Sequence, residues 1–214
     1  MLRANSGGRS SPPLSSAGRV ELITRPFCCA PVYVSLLFVS LIVQVEGAVM
    51  EDSRFWEIVD SVALHVSDPE EVLDGLVDAL KKLKPEEIVA FKQKQYEIED
   101  RAYRWDIWAV AYILNGGCSD DGFEYFRAGL ISGGREKYEA ALKRPETIAD
   151  WLPVDFESED FMYLANDAYE SLTGEEFPYE KLVSVGSSDP EGEEWAEGDL
   201  PKLYPELHRK YLSI

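Results

Sequence analysis

The chain has 214 residues, 45% of them hydrophobic and 12% aromatic, which is enough to form one domain with a sizeable core. Its formal net charge of −19 is unevenly distributed, because residues 1–49 hold four arginines and two glutamates and residues 50–214 therefore carry −21. A surface this acidic repels phosphate groups, which excludes nucleic acid as an expected partner and suits a protein with a basic face.

The first 49 residues form an N-terminal extension whose composition differs from that of the rest of the chain. Residues 1–26 are rich in Ser, Gly, Pro and Arg and lack apolar periodicity, which predicts disorder. The apolar run at 32–43 suits the core of a signal peptide, whereas a membrane-spanning helix needs about twenty apolar residues. Three interpretations stay open: a signal peptide, a membrane anchor, or a gene model extended upstream of a translation start at Met50.

These interpretations predict different locations for the protein. Translation from Met50 predicts an intracellular, cytoplasmic protein, and the cysteines (Cys28, Cys29 and Cys118) lack the spacing of a disulfide framework, in agreement with a reducing compartment. A working signal or anchor at 27–48 predicts a secreted or membrane-associated protein, with a membrane as partner only if the 32–45 segment is retained. The intact mass of the endogenous protein distinguishes these cases.

From Met50 onward, apolar residues recur with the three-and-four spacing that is typical of α-helices. Asp68-Pro69 and Pro85-Glu86 are helix-start signals, since proline suits the first helical position and acidic residues favour the first turn. The second signal opens a long helix that is predicted to reach about Leu114. After Arg104 this helix is apolar on nearly all sides, so its second half is predicted to lie at the centre of the domain.

The rest of the chain reads as shorter helices. Asn115-Gly116-Gly117 ends the central helix, because glycine readily adopts the left-handed conformation of a helix C-cap. Further helices are predicted near 121–131, 135–144, 158–173 and 203–212, and a loose acidic linker at 184–199. The fold class is therefore all-α: a single compact helical domain of six to seven helices at 50–183, after the 1–49 extension, and a C-terminal part at 184–214 whose helix packs back on it.

Three sequence blocks carry a resemblance to a known family: FWEIVD, AYRWDIWAVAYILNGGCSDDGFEYFRAGLISGGREKYEAAL and DFMYLANDAYESLTG. Together they resemble the bacterial and plant family known as domain of unknown function 4240. The resemblance covers about residues 53–174, with a weaker echo in the C-terminal tail DLPKLYPELHRKY. It implies a helical fold and brings no activity, because the family has none assigned.

Any binding or catalytic site is predicted to lie at 104–127, where two helices are joined by a tight turn that we call the elbow. Asp106 lies among aromatic and apolar neighbours in a part of the helix that is predicted to be buried, where an unpaired charge costs several kcal/mol. If the two helices are antiparallel, Arg127 returns close to Asp106, which predicts an Asp106–Arg127 ion pair. The alternative is a pocket for a small polar ligand, with candidate binding residues Arg104, Asp106, Ser119, Asp120 and Arg127.

The sequence assigns no reaction. The chain has no phosphate-binding loop, dinucleotide-binding motif, nucleophile elbow or metalloprotease motif. Aligning the elbow with a calcium-binding loop puts Gly117 and Ala128 where oxygen ligands are required, so we expect no metal, and we expect no cofactor. The favoured hypothesis is an acidic protein-interaction or regulatory module rather than an enzyme. The alternative is an enzyme or small-ligand binder with its site at 104–127.

Overall fold

The computed structural model of the protein describes residues 48–66, 68–154, 156 and 159–212. These residues form α-helices and no β-strand, which confirms the all-α prediction. The α-helices are α1 (Asp52–Ala63), α2 (Pro69–Leu80), α3 (Pro85–Arg101), α4 (Trp105–Asn115), α5 (Asp120–Gly129), α6 (Gly134–Lys143), α7 (Glu159–Thr173), α8 (Leu200–Leu203) and α9 (Pro205–Tyr211). Short 3₁₀ helices lie at Leu130–Gly133, Pro145–Asp150, Tyr179–Lys181 and Glu197–Asp199.

The predictions for the 1–49 extension fall on residues 1–47 except at its end, and residues 1–47 lie outside the described residues. Within the described ranges, no helix combines the length and the apolar composition that crossing a membrane requires.

Helices α2 and α3 begin at the predicted start signals. The side chain of Asp68 accepts a hydrogen bond from the backbone N–H of Glu70 at 2.9 Å, and Pro69 follows as the first helical residue. At the start of α3, the carboxylate of Glu87 accepts a hydrogen bond from the backbone N–H of Lys84 at 3.1 Å. These local bonds satisfy backbone groups that the helix itself leaves unpaired.

Helix α7 packs against α2, α3 and α5, and α1 packs against α2 and α6. The side chains between them form one hydrophobic core, and its largest apolar members are fully buried. Burying a side chain such as Phe91 or Leu164 contributes about 1.5–3 kcal/mol to folding. The packing of α3 against α7 also fixes the position of the polar side chains that α3 carries.

Residues 85–114, predicted as one helix, form two helices, α3 and α4. The chain leaves the helical conformation between them, and Arg104 is extended with φ −140° and ψ 142°. The backbone N–H of Trp105 donates to the carbonyl of Glu191, and the N–H of Glu191 donates to the carbonyl of Tyr103, both at 2.9 Å. This pairing with a distant segment satisfies backbone groups that the break exposes.

Helix α4 is covered on two sides, in agreement with its predicted central position. Ile107, Val110 and Leu114 belong to the main core. Ala109 and Ile113 face the other way and form a small second cluster with Leu200 at the start of α8. A helix covered on both sides must be apolar nearly all round, which is what the sequence of α4 shows.

The segment 184–199, predicted as a loose linker, makes defined contacts with α4. The indole N–H of Trp195 donates to the carbonyl of Trp105 at 2.7 Å. Its ring packs edge-on against the rings of Trp105 and Tyr112, with centroid distances of 6.3 and 5.4 Å. Trp195 therefore fastens the C-terminal part of the chain to the outer side of α4.

Replacing Trp195 with alanine is expected to lower the free energy of unfolding by about 2–4 kcal/mol, because two ring contacts and one hydrogen bond are lost. Urea unfolding measures this loss. Faster cleavage after Glu193 and Glu194 by a glutamate-specific protease is expected to accompany it. Trp195→Phe keeps a ring and loses the hydrogen bond, so it should cost about 1 kcal/mol. A Trp195→Ala chain as protease-resistant as the unchanged protein would contradict this account.

Candidate functional site

A cavity of about 640 Å³ lies between α3, α5 and the segment 182–187. We name it the Glu99–Arg127 cavity after the buried Glu99 and the half-buried Arg127 in its wall. Its other side chains are mainly acidic or aromatic: Asp100, Asp120, Asp121, Glu124, Tyr96, Tyr103, Trp108 and Tyr179. The lining thus contains five carboxylates and one basic side chain.

The carboxyl group of Glu99 is the most unusual feature of this cavity. The residue is only 4% exposed, and the side-chain N–H of Gln95 donates to its Oε1 at 2.7 Å. No described residue donates a hydrogen bond to Oε2. Burial raises the pKa of Glu99 to about 7, while the nearby charges of Lys92 and Arg127 oppose this rise.

Arg127 lies opposite Glu99 and is held by aromatic rings. Its guanidinium carbon is 4.6 Å from the ring centre of Tyr103 and 5.2 Å from that of Phe123. Its Nη1 donates to the backbone carbonyl of Glu99 at 3.0 Å, whereas its buried Nε has no partner among the described residues. Burial lowers the pKa of Arg127, and the charge of Glu99 acts in the opposite direction.

Lys92 forms the inner end of the same polar cluster. The residue is 1% exposed. Its Nζ donates a hydrogen bond to the carbonyl of Met162 and lies 4.5 Å from the ring centre of Tyr96. Burial lowers the pKa of Lys92, while Glu99 and Glu124 raise it. Burial also raises the pKa of Tyr96 to about 12, with the charge of Glu99 adding to the effect.

Two helical stripes explain why these groups meet. Lys92, Gln95 and Glu99 follow one another at three- and four-residue spacing on α3, so they share one face. Asp120, Glu124 and Arg127 have the same spacing on α5. The two polar stripes face each other across the cavity.

The elbow between α4 and α5 forms another wall. Gly116 ends α4 with φ 65°, in the left-handed conformation that its sequence predicts. Ser119 caps α5, since its hydroxyl oxygen accepts a hydrogen bond from the N–H of Gly122 at 3.1 Å. The indole N–H of Trp108 donates to the carbonyl of Cys118 at 3.0 Å, which fixes the elbow against α4.

The structure separates the predicted site residues. Asp120 and Arg127 line the Glu99–Arg127 cavity, and Ser119 caps the helix beside it. Arg104 and Asp106 line a second cavity, of about 350 Å³, with Trp195 and Tyr204. The five candidates therefore do not form one site.

The predicted Asp106–Arg127 ion pair is wrong. Asp106 is in the first turn of α4, with its side chain 39% exposed, and it pairs with Arg104. Arg104 Nε donates to Asp106 Oδ1 at 3.0 Å, and Nη2 donates to Oδ2. The break after α3 places Asp106 at a helix start instead of the middle of a long buried helix, so it does not need Arg127.

The sequence interpretation missed Lys92, Gln95 and Glu99. Their signal is a polar stripe along α3, but a polar stripe is also what an exposed helix face shows. Their burial depends on α7, which covers Lys92 and Gln95 through the carbonyls of Met162 and Phe161. Local spacing does not contain that information.

Other parts of the described structure are weaker candidates. A cavity of about 710 Å³ between α3 and residues 180–183 is lined mainly by apolar side chains, and its charged residues Glu86, Glu180 and Lys181 are exposed. Among the described residues, no three His, Cys, Asp or Glu side chains are grouped as metal ligands. Within the described part of the chain, the Glu99–Arg127 cavity differs from these because a buried charged residue, Glu99, lines it.

Replacing Asp106 with asparagine is expected to lower the free energy of unfolding by only about 0.2–1 kcal/mol, because the Arg104–Asp106 pair is partly exposed. Denaturant unfolding measures this loss. A loss of several kcal/mol would show that Asp106 is paired inside the core. Arg54→Gln, which breaks an exposed pair with Glu57, is the matched control.

Glu99 makes stability depend on pH. Because its folded-state pKa is raised from 4.5 to about 7, its stabilising contribution is complete below about pH 4.5 and lost as pH rises through 7. Glu99→Gln removes this titration and keeps an oxygen for the hydrogen bond from Gln95. Relative to the unchanged protein, the variant is expected to gain about 2–3 kcal/mol between pH 5 and pH 8 in urea unfolding.

The control for this pH dependence is Glu136→Gln, which removes an exposed carboxylate on α6 outside the cavity. Its stability is expected to follow that of the unchanged protein across the same pH range. Parallel pH profiles for Glu99→Gln and the unchanged protein would contradict the raised pKa of Glu99.

Comparison with known proteins identifies the family of this chain. A family model described as "Protein of unknown function (DUF4240)" matches residues 50–171. No curated protein and no solved structure matches the chain. The matched region includes α3 and α5, which carry Glu99 and Arg127, while the segment 182–187 lies beyond it. By this match, and in agreement with the resemblance of its helical blocks, the chain belongs to the DUF4240 family of proteins of unknown function.

Proposed function

We propose that this domain binds a small polar molecule in the Glu99–Arg127 cavity. The observation that carries the proposal is the buried carboxyl group of Glu99, which lines the cavity and has an oxygen to which no described residue donates a hydrogen bond. A volume of about 640 Å³ lies within the usual range for ligand sites, about 300–1,000 Å³. A ligand that donates a hydrogen bond to Glu99 would satisfy that oxygen.

The cost of burying these charges supports a functional role. Replacing buried ionic groups by well-packed apolar residues is often neutral or stabilising, so Lys92, Glu99 and Arg127 are not what folding alone favours. Buried groups with shifted pKa values in a cleft are typical of binding and catalytic sites. A pKa near 7 also suits general acid–base catalysis, so Glu99 is the first residue to replace in any assay of enzymatic activity.

The second candidate function is a protein-interaction or regulatory module. Its support is the net charge of −21 on residues 50–214, which favours a partner with a basic face. Binding of that kind weakens as salt screens the charges. Recovery of one partner in a pull-down at low salt, with its loss at high salt, would favour this candidate.

The ligand proposal is tested by recording ¹H–¹⁵N spectra of the protein against a library of small polar molecules of mixed charge. The indole N–H of Trp108 reports on the cavity, and that of Trp56, which is 3% exposed in the core, reports on the fold. We expect a subset of molecules to shift the signal of Trp108 and leave that of Trp56 unchanged.

Variants then locate the binding. Arg127→Met is expected to change the affinity of these ligands about tenfold or more, because it removes a charge from the cavity wall. The matched control, Arg135→Met, removes an exposed arginine that pairs with Glu139 on α6 and should have no effect. If Arg127→Met does not fold, Glu124→Gln takes its place. Absence of any molecule that shifts Trp108, or ligand affinity unchanged in both cavity variants, would contradict the proposed function.

A further inference from the structure

We infer that the ligand of the Glu99–Arg127 cavity is a small organic cation, such as an alkylamine or a quaternary ammonium compound, whose positive group contacts Glu99. This inference rests on the proposed function and names the chemical class of the ligand. It follows from the charge of the lining, the open oxygen of Glu99, the aromatic walls and the spacing of the acidic groups.

The lining charge excludes an anionic ligand. Five carboxylates face one guanidinium in this cavity. The guanidinium of Arg127 stacks on Tyr103, its Nη1 donates to the carbonyl of Glu99, and its Nε is buried away from solvent without a described partner. Lys92 directs its Nζ to the carbonyl of Met162 and is absent from the lining. An anion entering this space would therefore meet carboxylates whose charge these two residues do not cancel.

Glu99 provides the contact that a cation requires. The residue is only 4% exposed and lines the cavity, and no described residue donates a hydrogen bond to its Oε2. A carboxylate can accept hydrogen bonds at both oxygens, and Oε2 is not one of the fully enclosed atoms without a partner in the described structure, so it is accessible from the cavity. An ammonium N–H donor at Oε2 would form a charge-assisted hydrogen bond there.

The aromatic walls of the cavity already bind cations of the protein itself. The guanidinium of Arg127 lies over the ring of Tyr103, and the ammonium of Lys92 lies over the ring of Tyr96. Tyr179, which is 50% exposed, contributes a further ring to the same space. Aromatic rings beside carboxylates are the usual recognition set for amines and quaternary ammonium groups.

The arrangement favours an organic cation over a metal ion. A calcium or magnesium ion needs several oxygen ligands at 2.0–2.6 Å, according to the general coordination rules. The five carboxylates of the cavity are not grouped that closely: among the described residues, no three His, Cys, Asp or Glu side chains lie close enough together to hold a metal ion. A larger cation that contacts one or two carboxylates and a ring fits this spacing.

A cation beside Glu99 also changes its protonation. The positive charge favours the ionised carboxylate, so binding lowers the pKa of Glu99 from about 7 and releases a proton near neutral pH. Affinity for an alkylamine that stays fully charged should therefore rise between about pH 6 and pH 8. The neighbouring groups that share this environment are Lys92, Glu124 and Arg127, with Tyr96 on the same helix face.

The test uses two sets of probes that differ in charge and little in size. The first set is butane-1,4-diamine, butane-1,4-diol and butanedioate. The second is choline and its neutral counterpart 3,3-dimethylbutan-1-ol. Each probe is titrated into the full chain while the indole N–H signals of Trp108 and Trp56 are followed. We expect at least one cation to bind about tenfold more tightly than its neutral counterpart, and butanedioate not to bind.

Two variants assign the contact. Glu99→Gln is expected to weaken binding of the cation about tenfold or more and to abolish the rise in affinity between about pH 6 and pH 8. Glu136→Gln removes an exposed carboxylate on α6 and should change neither result. If Glu99→Gln does not fold, Glu124→Gln takes its place. This variant removes another carboxylate from the lining and is also expected to weaken binding of the cation.

Different outcomes overturn different claims. Library ligands that shift Trp108 but are neutral or anionic would overturn the cation inference and leave the proposed function standing. Cation binding that is equal in Glu99→Gln and Glu136→Gln, or that shifts exposed acidic surface signals as much as Trp108, would also overturn it. If neither library nor probes shift Trp108, the proposed function fails and the inference fails with it.

Discussion

Glu99 brings a carboxyl group into the interior of a helical domain, and the arrangement around it follows from the cost of that burial. A buried carboxylate is stable only with donors or opposite charge nearby. Gln95 supplies a donor, while Lys92 and Arg127 supply charge. These groups occupy the facing sides of α3 and α5, where apolar side chains would otherwise pack against each other. The two helices therefore enclose polar side chains and an open volume instead of a packed seam.

A second constraint acts where α3 ends. The backbone pairing of residues 103 and 105 with Glu191 holds the chain in an extended conformation at Arg104. The break directs Tyr103 into the cavity wall and leaves Arg104 and Asp106 paired beside the second cavity. The two cavities thus lie on either side of one short break. The position of α4 depends on a segment some ninety residues further along the chain, as the hydrogen bond between Trp195 and Trp105 also shows.

Local sequence signals predicted the features that depend on local physics. The starts of α2 and α3, the left-handed Gly116 and the apolar character of α4 each follow from a few adjacent residues. The break at Arg104 did not follow, because no glycine or proline marks it and its hydrogen-bond partner is Glu191. Glu99 was missed for a related reason: its spacing suits an exposed face, and only the packing of distant residues buries it.

The contacts of Glu191 and Trp195 also have a consequence for the order in which the domain assembles. A ribosome synthesises α1 to α7 before these residues, so the emerging chain contains α4 without the backbone partner of its first turn and without the cover over Ala109 and Ile113. Domains fold as units during synthesis, and apolar surface exposed in the meantime favours aggregation. The C-terminal segment can therefore cover this side of α4 only after the seven helices before it have been synthesised, and a chain that ends earlier leaves Ala109 and Ile113 without that cover.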